Sequence, residues 1–167
     1  MRIINKIIIH CSATRSDMDF SEQQLESAHQ LRGFRECGYH FYVRKSGVIS
    51  DMRDVAVPGA HCKGHNENSI GICYEGGLAP DRTPADTRTF KQKYAMRSLV
   101  RCLLQDYPGA QVYGHRELSP DLDGNGTITP SEWLKECPCF EVAELRGSQQ
   151  KLLPPGSSGA AGAVVMS

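Results

Sequence analysis

The sequence lacks an excess of either charge: 19 Lys and Arg face 19 Asp and Glu over 167 residues. A chain whose main business is gripping phosphate backbones, or tethering itself to anionic lipid, carries a basic surplus, so both classes are set aside. No apolar run comes near the roughly 18 residues of a membrane span. The N-terminal MRIINKIIIH also falls short of a secretory leader. Asn5 and Lys6 interrupt its apolar stretch, Ile7-Ile8-Ile9 is brief, and no small-residue cleavage site follows. There are no internal repeats. The expectation is a chain synthesised in the cytoplasm without a signal peptide, whose thiols start out reduced.

What is present fits one folded domain, with 40% hydrophobic and 23% charged residues. Seven cysteines are an odd number, so at least one has no partner within the chain. In a reducing compartment such thiols favour metal binding or inert burial over a disulfide framework.

Residues 3–9, nearly all β-branched, predict a buried central strand. Ser21 and Gln24 form a capping-box signal for a helix over 21–37, ended by Gly38. Residues 39–44 and 48–52 flank Ser46-Gly47 as a hairpin, and SIGICYE at 69–75 is a further strand. A long helix is predicted over 89–106, with Phe90, Met96, Leu99, Val100, Leu103 and Leu104 on its apolar face, and a short strand over 111–113. Alternating strands and helices predict an α/β domain, a single mixed sheet flanked by helices. The Pro/Gly/Ser-rich segment 147–167 is expected to be a flexible tail without chemistry.

His10 and His115 each follow a strand, where side chains far apart in sequence can meet on one rim of a sheet. KECPCF at 135–140 offers Cys137 or Cys139 as a third donor, and His61, Cys62 and His65 compete with them. Two imidazoles and one thiolate would leave zinc an open fourth position, the arrangement of a catalytic site. Cys11 follows His10 on a strand and should face the other way, as a buried thiol. His29 and His40 have no special spacing and read as structural.

IIIHCSAT (7–14), GYHFYVRKSGVI (38–49), GAHCKGHNENSIGICYEGG (59–77), YGHRELSP (113–120) and KECPCF (135–140) together resemble the zinc-dependent N-acetylmuramoyl-L-alanine amidases. These are the type-2 amidases of phage lysozymes, related in fold to the peptidoglycan-recognition proteins. The resemblance spans about residues 3–143, inside a domain drawn at 1–146. It implies zinc ligands at His10, His115 and Cys137, with Tyr39 and Lys135 as catalytic residues. Tyr39 would position water or donate a hydrogen bond, and Lys135 would stabilise negative charge. It also implies a cleft lined by His61, with Asn66 and Asn68 as further substrate contacts or turn-shaping residues. The implied reaction is hydrolysis of the amide between N-acetylmuramic acid and L-alanine in peptidoglycan. The implied partner is peptidoglycan or a muropeptide, taken by a monomer, with no nucleic acid and no membrane span. Either lysis, a holin or a secretion system would then deliver the enzyme to the wall, or the substrate would be a recycled fragment in the cytoplasm. The rival reading is a module that binds peptidoglycan without cutting it; Cys137, which such modules lack, discriminates against it.

A second metal signal lies at 121–132. DLDGNGTITPSE matches a calcium loop at Asp121, Asp123, Asn125, Gly126 and Glu132, with Thr127 supplying a backbone carbonyl. No helix pair flanks it. This insert departs from the shorter connector of the phage enzymes, and the expectation is that Ca2+ would order the segment carrying Lys135 and Cys137.

Overall fold

The computed structural model describes residues 1–147. The tail expected over 147–167 lies, apart from its first residue, outside the described residues. Seven strands and two α-helices run in the order β1 (Lys6–Cys11), β2 (Thr14–Arg15), α1 (Glu22–Leu31), β3 (Phe41–Val43), β4 (Ile49–Asp51), β5 (Ser69–Tyr74), β6 (Gly77–Leu78), α2 (Phe90–Asp106) and β7 (Gln111–Gly114). The main sheet has the order β4-β3-β5-β1-β7, and β2 pairs with β6 in a small second sheet. β1 runs parallel to β5 and β7, β3 runs parallel to β5, and β4 alone is antiparallel. The sheet is therefore mixed, with helices on both faces.

β1 is central because its residues can be buried on both sides. Ile7, Ile8 and Ile9 have no exposed surface, and each fully buried isoleucine contributes about 1.5–3 kcal/mol. On one face Ile7, Ile9, Ile72, Tyr74 and Val43 pack against Met96, Val100 and Leu103 of α2. On the other, Tyr42 and Cys73 pack with Leu25 of α1. This alternation decides which chemistry goes where: His10 shares the α1 side, and Cys11 is a core residue of the α2 side, 5% exposed.

Most predicted elements appear with shifted ends. The first strand occupies Lys6–Cys11 rather than 3–9, so His10 lies within it and not after it. The first helix keeps its capping box, with the Ser21 hydroxyl accepting the Gln24 backbone N–H and the Gln24 side-chain oxygen Oε1 accepting the Ser21 N–H. It ends at Leu31, well before Gly38. Gly33, at φ 93°, terminates it: its N–H is donated to Gln30 and the Phe34 N–H to His29, a Schellman stop. The helix therefore stops six residues short of the end expected at residue 37. The β2–β6 pair carries no hydrophobic alternation and was not predicted.

Candidate active site

Parallel pairing brings the ends of β1 and β7 to one edge, with Ile9 opposite Gly114. His10 is the next residue on β1 and His115 the first residue after β7, and their ring centroids lie 4.6 Å apart. Gly114 is needed for close approach, since a Cβ there would meet Pro138 Cδ at 2.9 Å. That contact lets the 137–139 segment dock against the sheet edge. The Arg116 N–H is donated to the Cys137 carbonyl at 2.9 Å, and the Tyr74 hydroxyl to the Pro138 carbonyl at 2.7 Å. The Cys11 backbone N–H points at Cys137 Sγ from 3.3 Å.

One ligand atom from each of His10, His115 and Cys137 lies within 4.8 Å of the others, and Cys137 Sγ is 3.8 Å from His10 Nδ1. A tetrahedral zinc ion with bonds of about 2.0 Å to nitrogen and 2.3 Å to sulfur sets such donors about 3.5 Å apart. The donor set and its spacing fit zinc. The other cysteine of the motif does not join: Cys139 turns its sulfur to Cys11, 4.0 Å away.

The orientation of His10 is fixed from behind. Its Nε2 lies 2.9 Å from His61 Nδ1, and His61 Nε2 lies 3.3 Å from the Ser69 hydroxyl. Burial, reinforced by the neighbouring histidines, holds His10 well below the usual imidazole range and pushes His61 down to about 3. Both rings are neutral near pH 7, so each carries one proton. Two assignments satisfy these contacts, running in opposite directions; the one that suits a metal has His10 Nε2–H donating to His61 Nδ1, His61 Nε2–H donating to Ser69, and the His10 Nδ1 lone pair turned to the cluster. Gly71 is the seat of the His61 ring, whose atoms would stand 2.7 Å from a Cβ at that position. Sequence reasoning missed Gly71 and Gly114; the signal was a glycine inside or at the end of a strand pattern.

The other predicted residues fall as follows. Tyr39, Lys135, His61 and Cys137 line one cleft of about 170 Å³ with His10 and His115. The Tyr39 ring is 4.9 Å from that of His10, and burial raises its hydroxyl well above the usual phenol range, so it stays a neutral donor. Lys135 is exposed at the rim. The Asn66 carboxamide oxygen accepts the N–H groups of His61 and Cys62 at 2.9 and 3.0 Å, clamping the loop that presents His61. Asn68 is exposed just before β5, at the end of the sheet away from His10, and its carbonyl accepts the Asn5 N–H. His29 accepts the Gly38 N–H at Nδ1, and His40 accepts that of Gly71, so both hold backbone as expected.

From His115 and Lys135 the surface continues past Leu118, Ser119 and Leu134 into a larger groove of about 510 Å³. Lys63 and His65 line it on one side, Asp121, Gly126 and Ile128 of the insert on the other. In the insert, Asp121, Asp123 and Glu132 bring one carboxylate oxygen each within 4.8 Å of the others. Asn125 and Thr127 are exposed, and Asn125 Oδ1 accepts the Thr127 N–H at 2.7 Å. Arg116, missed in the sequence, anchors the insert's far end by placing its guanidinium 4.0 Å over the Trp133 ring and pairing with Glu141.

The pattern of the N-acetylmuramoyl-L-alanine amidase family matches residues 1–138. The chain belongs to that family. An endolysin of Klebsiella phage KP32 is 33% identical over 138 residues, 83% of this chain and 82% of its own length. An uncharacterised Haemophilus influenzae protein is 45% identical over 104 residues, 62% of this chain and 90% of its own. The solved N-acetylmuramoyl-L-alanine amidase LysC from Clostridium intestinale superposes with a TM-score of 0.66 at 26% identity, covering 85% of this chain and 82% of LysC. Family and donor cluster together make this amidase a metal-dependent peptidoglycan amidohydrolase. Among the described residues no helix is long and apolar enough to cross a membrane.

Proposed function

We propose that the amidase holds zinc at His10, His115 and Cys137 and hydrolyses the bond between the lactyl carbonyl of N-acetylmuramic acid and the amine of L-alanine. The observation that carries this reading is the convergence of three donors within 4.8 Å at the floor of a cleft that also presents Tyr39 and Lys135. Bound zinc lowers the pKa of a coordinated water to about 7 and polarises the carbonyl. The chain's own groups do the rest. His61 keeps His10 in the tautomer that leaves Nδ1 free. The neutral Tyr39 hydroxyl orients the attacking water or donates to the carbonyl oxygen. The Lys135 ammonium, exposed at the rim, meets the negative charge that grows on that oxygen. The stem peptide continues along the groove between Lys63, His65 and the insert. The insert takes Ca2+ through Asp121, Asp123, Asn125, the Thr127 carbonyl and Glu132, and thereby steadies the segment leading to Lys135 and Cys137. The amidase works as a monomer, and reaches the wall after release by lysis, a holin or a secretion system.

Metal analysis of the purified chain, joined to mass spectrometry of a muropeptide digest, tests this. The expected result is one zinc per chain and free L-alanine amino termini. A zinc-loaded protein that binds muropeptides and leaves the amide intact would make it a recognition module instead.

A further inference from the structure

We infer that Cys11 and Cys139 are an intramolecular disulfide site, which a thiol oxidant closes so as to fasten the Cys137 segment onto β1. The inference goes beyond the amidase reading and stands on the placement of two thiols that the metal cluster does not use. Cys11 ends β1 with its side chain on the α2 face, opposite to His10. Cys139 lies beyond Pro138 with φ 68°, the left-handed region where glycine is at ease and a side chain is strained. From that backbone position its sulfur reaches to within 4.0 Å of Cys11 Sγ. A disulfide needs about 2.05 Å, a gap that side-chain rotation can close because the backbones are already docked. The docking contacts surround the pair: the Cys11 N–H on Cys137 Sγ, the Tyr74 hydroxyl on the Pro138 carbonyl, and the Cys139 N–H on the Glu136 carbonyl at 2.7 Å.

The step balances with a low-molecular-weight disulfide such as oxidised glutathione. Cys139, the less buried thiol, attacks it and releases one glutathione thiol. Cys11 then attacks the mixed disulfide, the second glutathione leaves as a thiol, and the protein has lost two hydrogens. Cys137 is excluded from the exchange while its sulfur is held by zinc, and this choice of partner rests on the zinc reading. The new link closes nearly the whole domain into one loop, so it restricts the unfolded chain strongly.

The test uses the full chain, its zinc content measured first, incubated with oxidised glutathione, alkylated and mapped by peptide mass spectrometry. The expected result is a peptide pair joining residues 11 and 139. The melting temperature rises by roughly 5–15 °C, and zinc passes more slowly to a competing chelator. Cys139→Ser forms no link, shows no such shift, and cleaves peptidoglycan as the reduced parent does. Cys139→Gly, freed of the left-handed strain, melts higher than the reduced parent. The inference fails if zinc-loaded protein gives only a stable glutathione adduct, a link through Cys137 with zinc lost, or a Cys11–Cys139 link that leaves melting unchanged. A chain that holds no zinc yet joins 11 to 139 refutes the zinc reading alone.

Discussion

The two donor clusters of this amidase are both compact and are opposite in construction. In each, three ligand atoms lie within 4.8 Å. His10, His115 and Cys137 come from a central strand, the turn after an edge strand, and a docked loop, so tertiary packing alone assembles them. Asp121, Asp123 and Glu132 come from one local loop. Their carboxylates are already engaged: Glu132 accepts from Leu122, Asp123 and Thr129, and Asp121 accepts from the backbone of Gly124 and Gly126. Among the described residues the first cluster receives one backbone donor, the Cys11 N–H on Cys137 Sγ, while His10 Nδ1 faces that same sulfur. The second satisfies itself with N–H groups. A close set of ligand atoms is thus weak evidence of a metal until one asks what else those atoms are doing.

The comparison can be broken at its strongest point first. Cys137→Ser should lower hydrolysis at least roughly a thousandfold with the fold kept, because it removes the thiolate ligand; zinc content, activity and circular dichroism on one sample decide it. Activity retained at parental level would refute the ligand assignment.

Acid should separate the clusters next. His40, whose ring meets that of His61 edge-on and which holds the Gly71 N–H, is pushed down to about 4, chiefly by burial. Its unfolded form takes a proton near pH 6.5 while the folded form does not. The stability this gives is complete above pH 6.5 and is lost as pH falls towards 4, about 3 kcal/mol in all. Glu132 is held below its ordinary value of 4.5 by hydrogen bonds from Thr129 and Leu122, so its contribution is lost only as pH falls below that value. Melting of the zinc-free chain should therefore decline from pH 6.5, while Trp133 fluorescence, which reports the insert, changes only at lower pH. A decline that begins only below pH 4.5 would overturn the order.

A smaller effect is expected behind the ligand. His61→Ala should weaken zinc binding by about 10–100-fold, read by chelator competition. His61→Asn, which returns an acceptor near Nδ1, should recover part of that affinity. Equal losses in the two variants would remove the orienting role. Smallest is Glu132→Gln. It should lower the melting temperature by a few degrees and abolish the rise that Ca2+ produces in the parent, with activity kept in saturating zinc. A parent whose melting ignores Ca2+ would show the insert to be a self-satisfied loop.

The fold class and the central strand were legible because burial leaves marks on residue type, whereas donor chemistry left Cys137, Cys139, His61, Cys62 and His65 all open, and it was the family resemblance that singled out His10, His115 and Cys137. Alternation on β1 put Cys11 on the face opposite His10, as the structure has it. The helix end was also written, in Gly33, but as a backbone conformation that any exposed Gly could signal. The contact of His61 with His10 was not legible. It depends on Gly71 leaving room on a neighbouring strand, a relation between residues paired only after folding. Asn66 illustrates the same limit, since an asparagine that grips its own loop reads in sequence like one that grips a ligand.

The spread of the three ligands along the chain has a consequence for biosynthesis. β1 and β7 must pair in register, and the segment after residue 130 must dock on their edge, before the third donor arrives. A nascent chain that has made His10 and His115 still offers only two of the three donors. Metal capture by all three donors therefore waits until residue 137 has been made and the strand order is correct. A truncated or misregistered copy stays without its ion, and a wall-cutting enzyme stays harmless until its last ligand is in place.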